Sequence, residues 1–498
     1  MGLIARQSFK AGTITYIGAL LGVVNSVYIY PKMLSIGQLG EIQYIFSTAA
    51  LIGPLLLVGL SSVLVKYFTD YNMDESKKQL LYGLVFGGTL VNAFLFLIVS
   101  FFLKDQILQF FISNHGLSNA AIYASVIISA IYPFVMLSIV FSSNHGRIAI
   151  PNLLLNLVKL VLPLVVVFYY FDFYTFTTLI RLLVFYYGIL CLLYFFYMRT
   201  LDRLKPTFNL SEIKRRLPVK EIFSFAAFSF LGSFGAVLMN QIDIQMIAPK
   251  LGTYGVGLYS WSFFIANALA IPLGLLASIS TPLISKFWKA DNLSELNKIY
   301  GQSSRSLIVI SVGLFACVLV GLDDLFLIMP KGGEYVLAKW TVIILCIAKV
   351  IDMAAGLNSQ ILAMSKSYRY LLLFLAVSVI FNVGLNLILI PVYGIKGSAI
   401  ATVISILVFN ILKYLFLWKR YALIPEFGNA LLVIPIALFL VVGSKYTPHF
   451  DSSLLNIFVY SGGTFTLYYS AAYKLRLSSE LNSFINKQLL RFGIKPFD

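Results

Sequence analysis

Long apolar stretches, separated by short polar or Gly- and Pro-rich breaks, follow one another along almost the whole chain. A helix that crosses a bilayer needs about 20 mostly apolar residues. Windows of that kind predict fourteen membrane-spanning helices, at 11–30, 42–65, 80–103, 120–141, 149–171, 175–198, 222–247, 257–279, 306–322, 340–362, 370–390, 397–412, 428–444 and 453–473. The hydropathy pattern therefore predicts an all-α polytopic membrane protein.

The first predicted hairpin recurs 218 residues later without a gap. Between Asn25–Ser62 and Asp243–Ser280, 11 of 38 positions are identical, including two prolines and a turn glycine. Polar Asn25 corresponds to charged Asp243, and both lie inside predicted spans. Chance matching of apolar segments is one explanation, but paired prolines and glycines favour duplication. Duplicated membrane bundles are typical of transporters that alternate about a central site.

Lys and Arg are distributed unequally between the predicted loops. With a cytoplasmic N-terminus, the termini and inside loops hold 27 of the 37 Lys and Arg, the outside loops hold 7, and the spans hold 3. The outside loops also carry 7 acids, so the net charge of +17 lies almost wholly on one face. This positive-inside asymmetry predicts an N-in/C-in topology. The basic excess is an orientation signal beside anionic lipid headgroups, and no nucleic-acid surface is expected.

The longest inside loop, Arg199–Glu221, carries seven bases and two prolines and follows the sixth span. Because six is even, both halves begin on the cytoplasmic side, which makes the repeats parallel. We therefore expect two parallel six-helix bundles around a central cavity, followed by two extra helices. The expected segments are a first bundle at 1–205, a basic linker at 206–221, a second bundle at 222–420, spans 13 and 14 at 421–475, and an amphipathic cytoplasmic tail at 476–498 on the inner leaflet.

Composition agrees with a bilayer environment and argues against several classes of protein. Charged residues make up 11% of the chain and hydrophobic residues 59%, whereas a soluble protein carries about 25% charged residues. The three cysteines lie in apolar runs, so no disulfide framework is expected. The sequence contains no phosphate-binding loop, no metal-spaced His/Cys set and no Ser/His/Asp constellation. We therefore expect neither an enzyme nor a bound cofactor.

Five charged residues fall inside the predicted spans: Lys159, Arg181, Asp243, Lys349 and Asp352. A charge at the centre of a span costs about 2.5–3.5 kcal/mol on insertion scales, so such residues face a protein interior or a wet cavity. Lys349 and Asp352 are three residues apart on one helix and either pair with each other or separate when an anionic substrate arrives. Lys159 either faces substrate or pairs with a carboxylate such as Asp243. Arg181 lies near an outer edge, from which it can snorkel.

Asp243 lies in the unusually polar stretch Asn240-Gln241-Ile242-Asp243-Ile244-Gln245. These polar side chains cover more than one helical face, so the helix is expected to line a cavity. Asp243 would bind Na⁺ or a proton there, or fix a partner lysine. The candidate substrate-cavity residues are Lys159, Lys349, Asp352, Arg181 and Asn25, and the candidate ion-coupling residues are Asp243, Asn240 and Gln241.

Three sequence motifs resemble those of bacterial polysaccharide flippases. The family's seventh-span signature is similar to QIDIQMIAPKLGTYGVGLYS at Gln241–Ser260. Its first hairpin resembles the Pro31–Gly40 turn and the Gly59–Lys66 end of span two, and its junction between spans eleven and twelve resembles IPVYGIKGSAIA at Ile390–Ala401. With fourteen spans, the resemblance covers nearly the whole chain. It points to the polysaccharide transport branch of the multidrug/oligosaccharidyl-lipid/polysaccharide exporter superfamily.

The resemblance implies a flippase that moves undecaprenyl-diphosphate-linked oligosaccharide from the inner to the outer leaflet of the bacterial cytoplasmic membrane. Alternating access of the two bundles would serve surface polysaccharide synthesis, such as that of O-antigen in lipopolysaccharide. Lys159 and Lys349 would attract the diphosphate, membrane lipids and other polysaccharide-assembly proteins would be partners, and Na⁺ or a proton would be the coupling ion. Span one offers only Asn25 where lipid II flippases have arginines, which disfavours a peptidoglycan precursor. The alternatives are an ion-coupled exporter of small molecules, a lipid II flippase and a membrane glycan polymerase.

Overall fold

The computed structural model describes residues 17–68, 74–201 and 207–491, and their regular secondary structure is entirely helical. The all-α class predicted from hydropathy is confirmed. Contacts divide the chain into two compact units, Met1–Ser260 and Trp261–Asp498. The predicted seventh span, at 222–247, thus falls with the first unit.

The first unit contains ten helices and the beginning of an eleventh within its described residues. They are α1 at 17–33, which includes a π-helical turn at Asn25–Ile29, α2 at Ile36–Leu57, α3 at Leu60–Phe68, α4 at Glu75–Phe102, α5 at Lys104–His115, α6 at Asn119–Asn144, α7 at Ala149–Asn156, α8 at Val158–Tyr170, α9 at Phe176–Leu201, α10 at Leu210–Arg216 and α11 at Val219–Leu269, which is broken at Gly252.

The second unit continues with the remaining helices of the described chain. They are α12 at Ile271–Lys289, α13 at Leu293–Ile328, α14 at Gly332–Tyr335, α15 at Lys339–Ala354, α16 at Asn358–Met364, α17 at Tyr368–Tyr393, α18 at Ile395–Tyr421, α19 at Val433–Ser444, α20 at Ser453–Asn456, α21 at Gly462–Lys474 and α22 at Ser479–Arg491. Short 3₁₀ turns at Val336–Ala338 and Gly428–Leu432 precede α15 and α19, and a π-helical turn at Ile457–Ser461 joins α20 to α21.

Ten of the described helices are long and apolar enough to cross a membrane when α7 and α8 are counted as one, or eleven if the pair bent by 51° at the α15–α16 junction is one span. The chain is a multi-pass membrane protein. One of the ten, α11, covers the predicted span at 222–247 and the first part of that at 257–279, and α19 is shorter than a full span. The last predicted span is divided among α20, a π-helical turn and α21. The count of fourteen and the N-in/C-in topology stay predictions.

Several predicted segments lie partly outside the described residues. These are the start of the first span at 11–16, residues 202–206 of the inside loop Arg199–Glu221, and residues 492–498 of the tail. Within the described residues, the linker forms α10, whose first turn is capped by the Asn209 side chain. The amphipathic tail forms α22.

The second predicted span, at 42–65, is two helices in the structure. The first begins at a capping box, in which the Ser35 hydroxyl accepts from the Gln38 amide at 3.2 Å and the Gln38 side chain accepts from the Ser35 amide at 2.9 Å. Gln38 and Glu41 are polar, so a hydropathy window misses the opening turns. The helix α2 ends at Val58, whose φ of 46° lies in the left-handed region.

The two copies of the repeated hairpin contact each other within the first unit. A Cβ atom on Gly40 of the first copy would overlap the carbonyl oxygen of Thr253, in the turn of the second copy. In return, a Cβ atom on Gly257 would overlap the carbonyl oxygen of Ile36, at the start of α2. Backbone therefore touches backbone in both directions, which only glycine permits at these positions.

Gly40→Ala should destabilise the protein by about 1–3 kcal/mol or more. The added methyl group would overlap the backbone carbonyl of Thr253, which cannot move aside as a flexible side chain would. The measurement is the monodisperse fraction of detergent-solubilised protein and its melting temperature. Gly188→Ala is the matched control, since a Cβ there has no heavy atom within 4 Å. Equal melting temperatures for the two variants would contradict the close backbone approach.

Candidate functional site

Asp243 lies at the centre of a buried polar cluster in the first unit. Its side chain is 2% exposed, and its Oδ2 accepts a hydrogen bond from the Tyr259 hydroxyl at 2.6 Å. Sixteen residues of uninterrupted helix would hold these two residues about 24 Å apart. The break at Gly252, with φ of 65°, reverses the chain and brings the phenol to the carboxylate.

Polar side chains of α2 extend this cluster. Gln245 donates from Nε2 to the Ser47 hydroxyl at 3.2 Å and to the Thr48 hydroxyl at 3.1 Å. The Ser47 hydroxyl donates in turn to the backbone oxygen of Gln241 at 3.4 Å. Asn240 is exposed and donates to the Ala236 carbonyl of its own helix. Of the predicted ion-coupling residues, Asp243 therefore binds Tyr259, Gln241 offers its backbone oxygen to Ser47 of α2, and Asn240 makes a contact within its own helix.

Asn25 and Lys159 meet where α1 packs against α8. Asn25 is buried at the start of the π-helical turn, and its Nδ2 donates to the Lys159 carbonyl at 2.8 Å. Lys159 is half-buried, and its Nζ lies 3.4 Å from the position that a Cβ on Gly18 would take. π-helical turns occur frequently at functional sites. The structure thus joins these two predicted cavity residues, whereas Arg181 is exposed near the start of α9.

The second unit buries a lysine that the hydropathy pattern does not predict inside a span. Lys413 has no exposed surface. Its Nζ donates to the Ser359 hydroxyl at 2.7 Å and lies 3.9 Å from the centre of the Phe409 ring. A buried ammonium requires such partners, because its removal from water costs several kcal/mol.

Hydrogen bonds run in one direction from Lys413 to Asp352. After the Lys413 ammonium donates to Ser359, the Ser359 hydroxyl donates to Asn358 Oδ1 at 3.3 Å. The Asn358 amide donates to Asn410 Oδ1 at 3.1 Å, and the Asn410 amide donates to Asp352 Oδ1 at 3.1 Å. We call these five residues the relay. Each donor in such a chain polarises the next, which stabilises the positive charge at one end and the negative charge at the other.

The relay crosses the bend between α15 and α16. Asp352 belongs to α15, Asn358 and Ser359 open α16, and Asn410 and Lys413 lie one turn apart on α18. At the bend, Gly356 has φ of 63°, and a Cβ there would lie 2.8 Å from the Ser303 hydroxyl of α13. The relay therefore ties both arms of a bent helix pair to α18.

Sequence patterns predict one end of the relay and miss the other. A window that closes the twelfth span at 412 places Lys413 in a loop, whereas α18 continues to Tyr421. The missed signal is that apolar residues continue after Lys413, at Leu415–Leu417. The predicted pair Lys349 and Asp352 have different contacts in the structure. The Asp352 carboxylate accepts a hydrogen bond from the Asn410 amide. Lys349 is half-buried, and its ammonium lies 5.2 Å from the centre of the Phe263 ring.

The chain is similar in sequence to probable flippases and in fold to solved transporters. No protein-family model matches the chain. It is similar to the probable low-salt glycan biosynthesis flippase Agl15 of Haloferax volcanii, with 23% identity over 39% of this chain and 41% of that protein. It is also similar to the probable flippase AglR of the same organism, with 27% identity over 41% of this chain and 43% of that protein. The chain thus spans about two fifths of the length of these curated relatives.

Two solved structures share the fold over most of the chain. The lipid II flippase MurJ, in an inward closed conformation, gives a TM-score of 0.73 with 15% identity over 93% of this chain and 98% of that one. An inward-facing multidrug resistance MATE family transporter of the MOP superfamily gives a TM-score of 0.61 with 15% identity over 81% and 94%. The chain therefore has the fold of these transporters.

Proposed function

We propose that this protein is a flippase that moves a polyprenyl-diphosphate-linked oligosaccharide across a membrane by alternating access. The observation that carries the proposal is the sequence similarity to two probable flippases, one of them named for glycan biosynthesis. The fold shared with a lipid II flippase supports it. The motifs that resemble bacterial polysaccharide flippases favour an undecaprenyl carrier, a bacterial cytoplasmic membrane and a role in surface polysaccharide synthesis.

The chemistry of this substrate fits the buried bases. A lipid-linked oligosaccharide carries an anionic diphosphate, a polar glycan and a long apolar chain, and the protein must attract the first without holding it permanently. Lys159, half-buried beside α1, and Lys349, half-buried on α15, are the bases we assign to the diphosphate. An ammonium in a low-dielectric site attracts phosphate more strongly than it would in water.

We assign ion coupling to the cluster around Asp243. A carboxylate buried in a span is expensive and is typical of proton and ion pathways. Here the Tyr259 hydroxyl stabilises the charged form by donating to it, and the oxygens of Ser47 and Gln241 lie along the same helix pair. In this proposal, Na⁺ or a proton binds at Asp243 and drives the transport cycle.

The function is tested in cells that lack the protein, by complementation and quantification of surface glycan. Lys159→Gln and Lys349→Gln should each lower surface glycan by about tenfold or more, since a hydrogen bond to a charged group is worth about 1.5–3 kcal/mol. Their membrane abundance should equal that of the wild type. Lys104→Gln removes the same charge from an exposed position at the start of α5 and is the control. Full surface glycan with both buried variants would exclude the proposed diphosphate contacts.

Export of small molecules is the second candidate function, because the fold is also that of a multidrug resistance transporter. Two half-buried lysines disfavour a cationic cargo, which they would repel. Efflux of a cationic dye that requires the wild-type protein, without any change in surface glycan, would favour this candidate over the flippase.

A further inference from the structure

A basic cavity of about 760 Å³ lies between the end of α21 and the helix α22. Its lining includes Lys474, Arg476 and Lys487, together with Ser479, Asn482 and Asn486. Among the described residues that line it, no side chain is acidic. Pockets that hold small ligands commonly measure about 300–1,000 Å³, so the space is sufficient for a lipid headgroup.

A fixed turn gives the cavity its shape. The chain leaves α21 through Arg476, whose φ of 51° lies in the left-handed region. The Asn482 side chain then donates to the Tyr473 carbonyl at 2.8 Å, and the Tyr473 hydroxyl donates to Asn486. These bonds join the polar face of α22 to the last turn of α21, so the bases at the rim lie on two helices that are hydrogen-bonded to each other.

The acid nearest in sequence, Glu480, accepts hydrogen bonds from serines, including Ser479 of the cavity lining at 3.0 Å. Glu480 accepts from the Ser478 hydroxyl at 3.0 Å and from the Ser306 hydroxyl of α13 at 3.4 Å. Serine hydroxyls thus satisfy the Glu480 carboxylate, and Glu480 does not line the cavity. The described lining of the cavity is therefore basic, which suits an anionic ligand.

Exposed apolar side chains lie beside the bases. Leu475 is 53% exposed and Leu490, which lines the cavity, is 62% exposed. Leu477 and Leu481, in contrast, pack into an apolar cluster with α13. Bases next to exposed leucines, at the end of an apolar helix and on an amphipathic one, are typical of the boundary between lipid headgroups and acyl chains.

We propose that this cavity binds the phosphodiester headgroup of an anionic membrane lipid. Lys474, Arg476 and Lys487 hold the phosphate, while Leu475 and Leu490 enter the acyl region. The exposed leucines favour a lipid over a soluble phosphate, which would leave them in water. The site is independent of the transport proposal, because none of its residues is assigned to substrate or to the coupling ion.

The test titrates the purified full-length protein, in a neutral detergent, with phosphatidylglycerol or phosphatidylcholine and counts bound lipid by native mass spectrometry. The wild type should bind phosphatidylglycerol about tenfold more tightly than phosphatidylcholine. The Arg476→Gln/Lys487→Gln double variant should lose that preference. The matched control is Lys419→Gln/Arg420→Gln, which removes two exposed bases from the last turn of α18 and should keep it.

Two further measurements keep the result interpretable. Higher ionic strength should weaken phosphatidylglycerol binding to the wild type itself, without any substitution. Leu475→Ser/Leu490→Ser should weaken binding of the lipid, and free glycerol 1-phosphate should fail to displace it. Equal loss in both double variants, equal affinity for the two lipids, or displacement by glycerol 1-phosphate at the same concentration would overturn the proposal.

Discussion

Asp352→Ala should destabilise the protein by about 1.5–3 kcal/mol, the usual worth of a hydrogen bond to a charged group, because it removes the carboxylate that ends the relay. Asp352 acts electrostatically on the Lys413 ammonium, and Lys413 is fully buried. The substitution also removes one of the two acceptors of the Asn410 side-chain amide, which keeps its bond to the Ile406 carbonyl. The measurements are the melting temperature in detergent and the abundance of protein in the membrane, both of which should fall sharply.

Neutralising both ends of the relay separates charge imbalance from a general defect in packing. Asp352→Asn/Lys413→Met should recover most of the stability lost in either single variant, because the two opposite charges at the ends of the relay are then removed together. A double variant less stable than both single variants would show that the two charges do not compensate each other. If the relay also holds the bend between α15 and α16, the double variant should fold but transport slowly.

Asp243→Asn should abolish the response of transport to an imposed ion gradient while leaving the protein folded. In the wild type, the Tyr259 hydroxyl donates to the Asp243 carboxylate at 2.6 Å. An asparagine at this position still offers an oxygen to that hydroxyl, but it neither carries a charge nor accepts a proton. Coupling between two sites amounts to about 1–3 kcal/mol, a factor of about 5–150. Gradient-driven transport should fall by that factor, as measured by translocation with and without the gradient.

Two further variants test whether the effect depends on the charge of Asp243. Tyr259→Phe keeps the ring and the charge of Asp243 and removes only the donor, so it should shift the ion concentration required without abolishing coupling. Asn240→Ala changes an exposed amide bonded to its own helix and should behave like the wild type. An Asp243→Asn protein that still responds fully to the gradient would place the coupling ion elsewhere.

Hydropathy and charge predict the helical class and the burial of Asp243, but not the extent of each helix. A hydropathy average responds to the composition of a window, and single polar residues inside a helix lower it. Gln38 and Glu41 therefore hide the beginning of α2, and Lys413 hides the last two turns of α18. The other four members of the relay are 3, 54, 55 and 61 residues from Lys413 in sequence, and only the fold brings them together.

The repeat predicts equivalence between two hairpins, but not that they contact each other. The structure places Gly40 of one copy against Thr253 of the other, and Gly257 against Ile36. Periodicity cannot reveal such contacts, because they depend on how closely two backbones approach. The divergence of Asn25 from Asp243, visible in the sequence, gives the two copies different contacts: Asn25 donates to a backbone carbonyl, whereas Asp243 accepts from a tyrosine.

The most direct measurement is translocation of a fluorescent undecaprenyl-diphosphate-linked oligosaccharide in proteoliposomes, with Na⁺ and proton gradients imposed separately. The flippase proposal predicts protein-dependent exposure of the glycan on the opposite leaflet, accelerated by one of the two gradients. Lys159→Gln and Lys349→Gln should slow it, and Asp243→Asn should remove the acceleration. Glycan movement no faster than in protein-free vesicles, from protein that is folded and exports a cationic dye, would contradict the proposal.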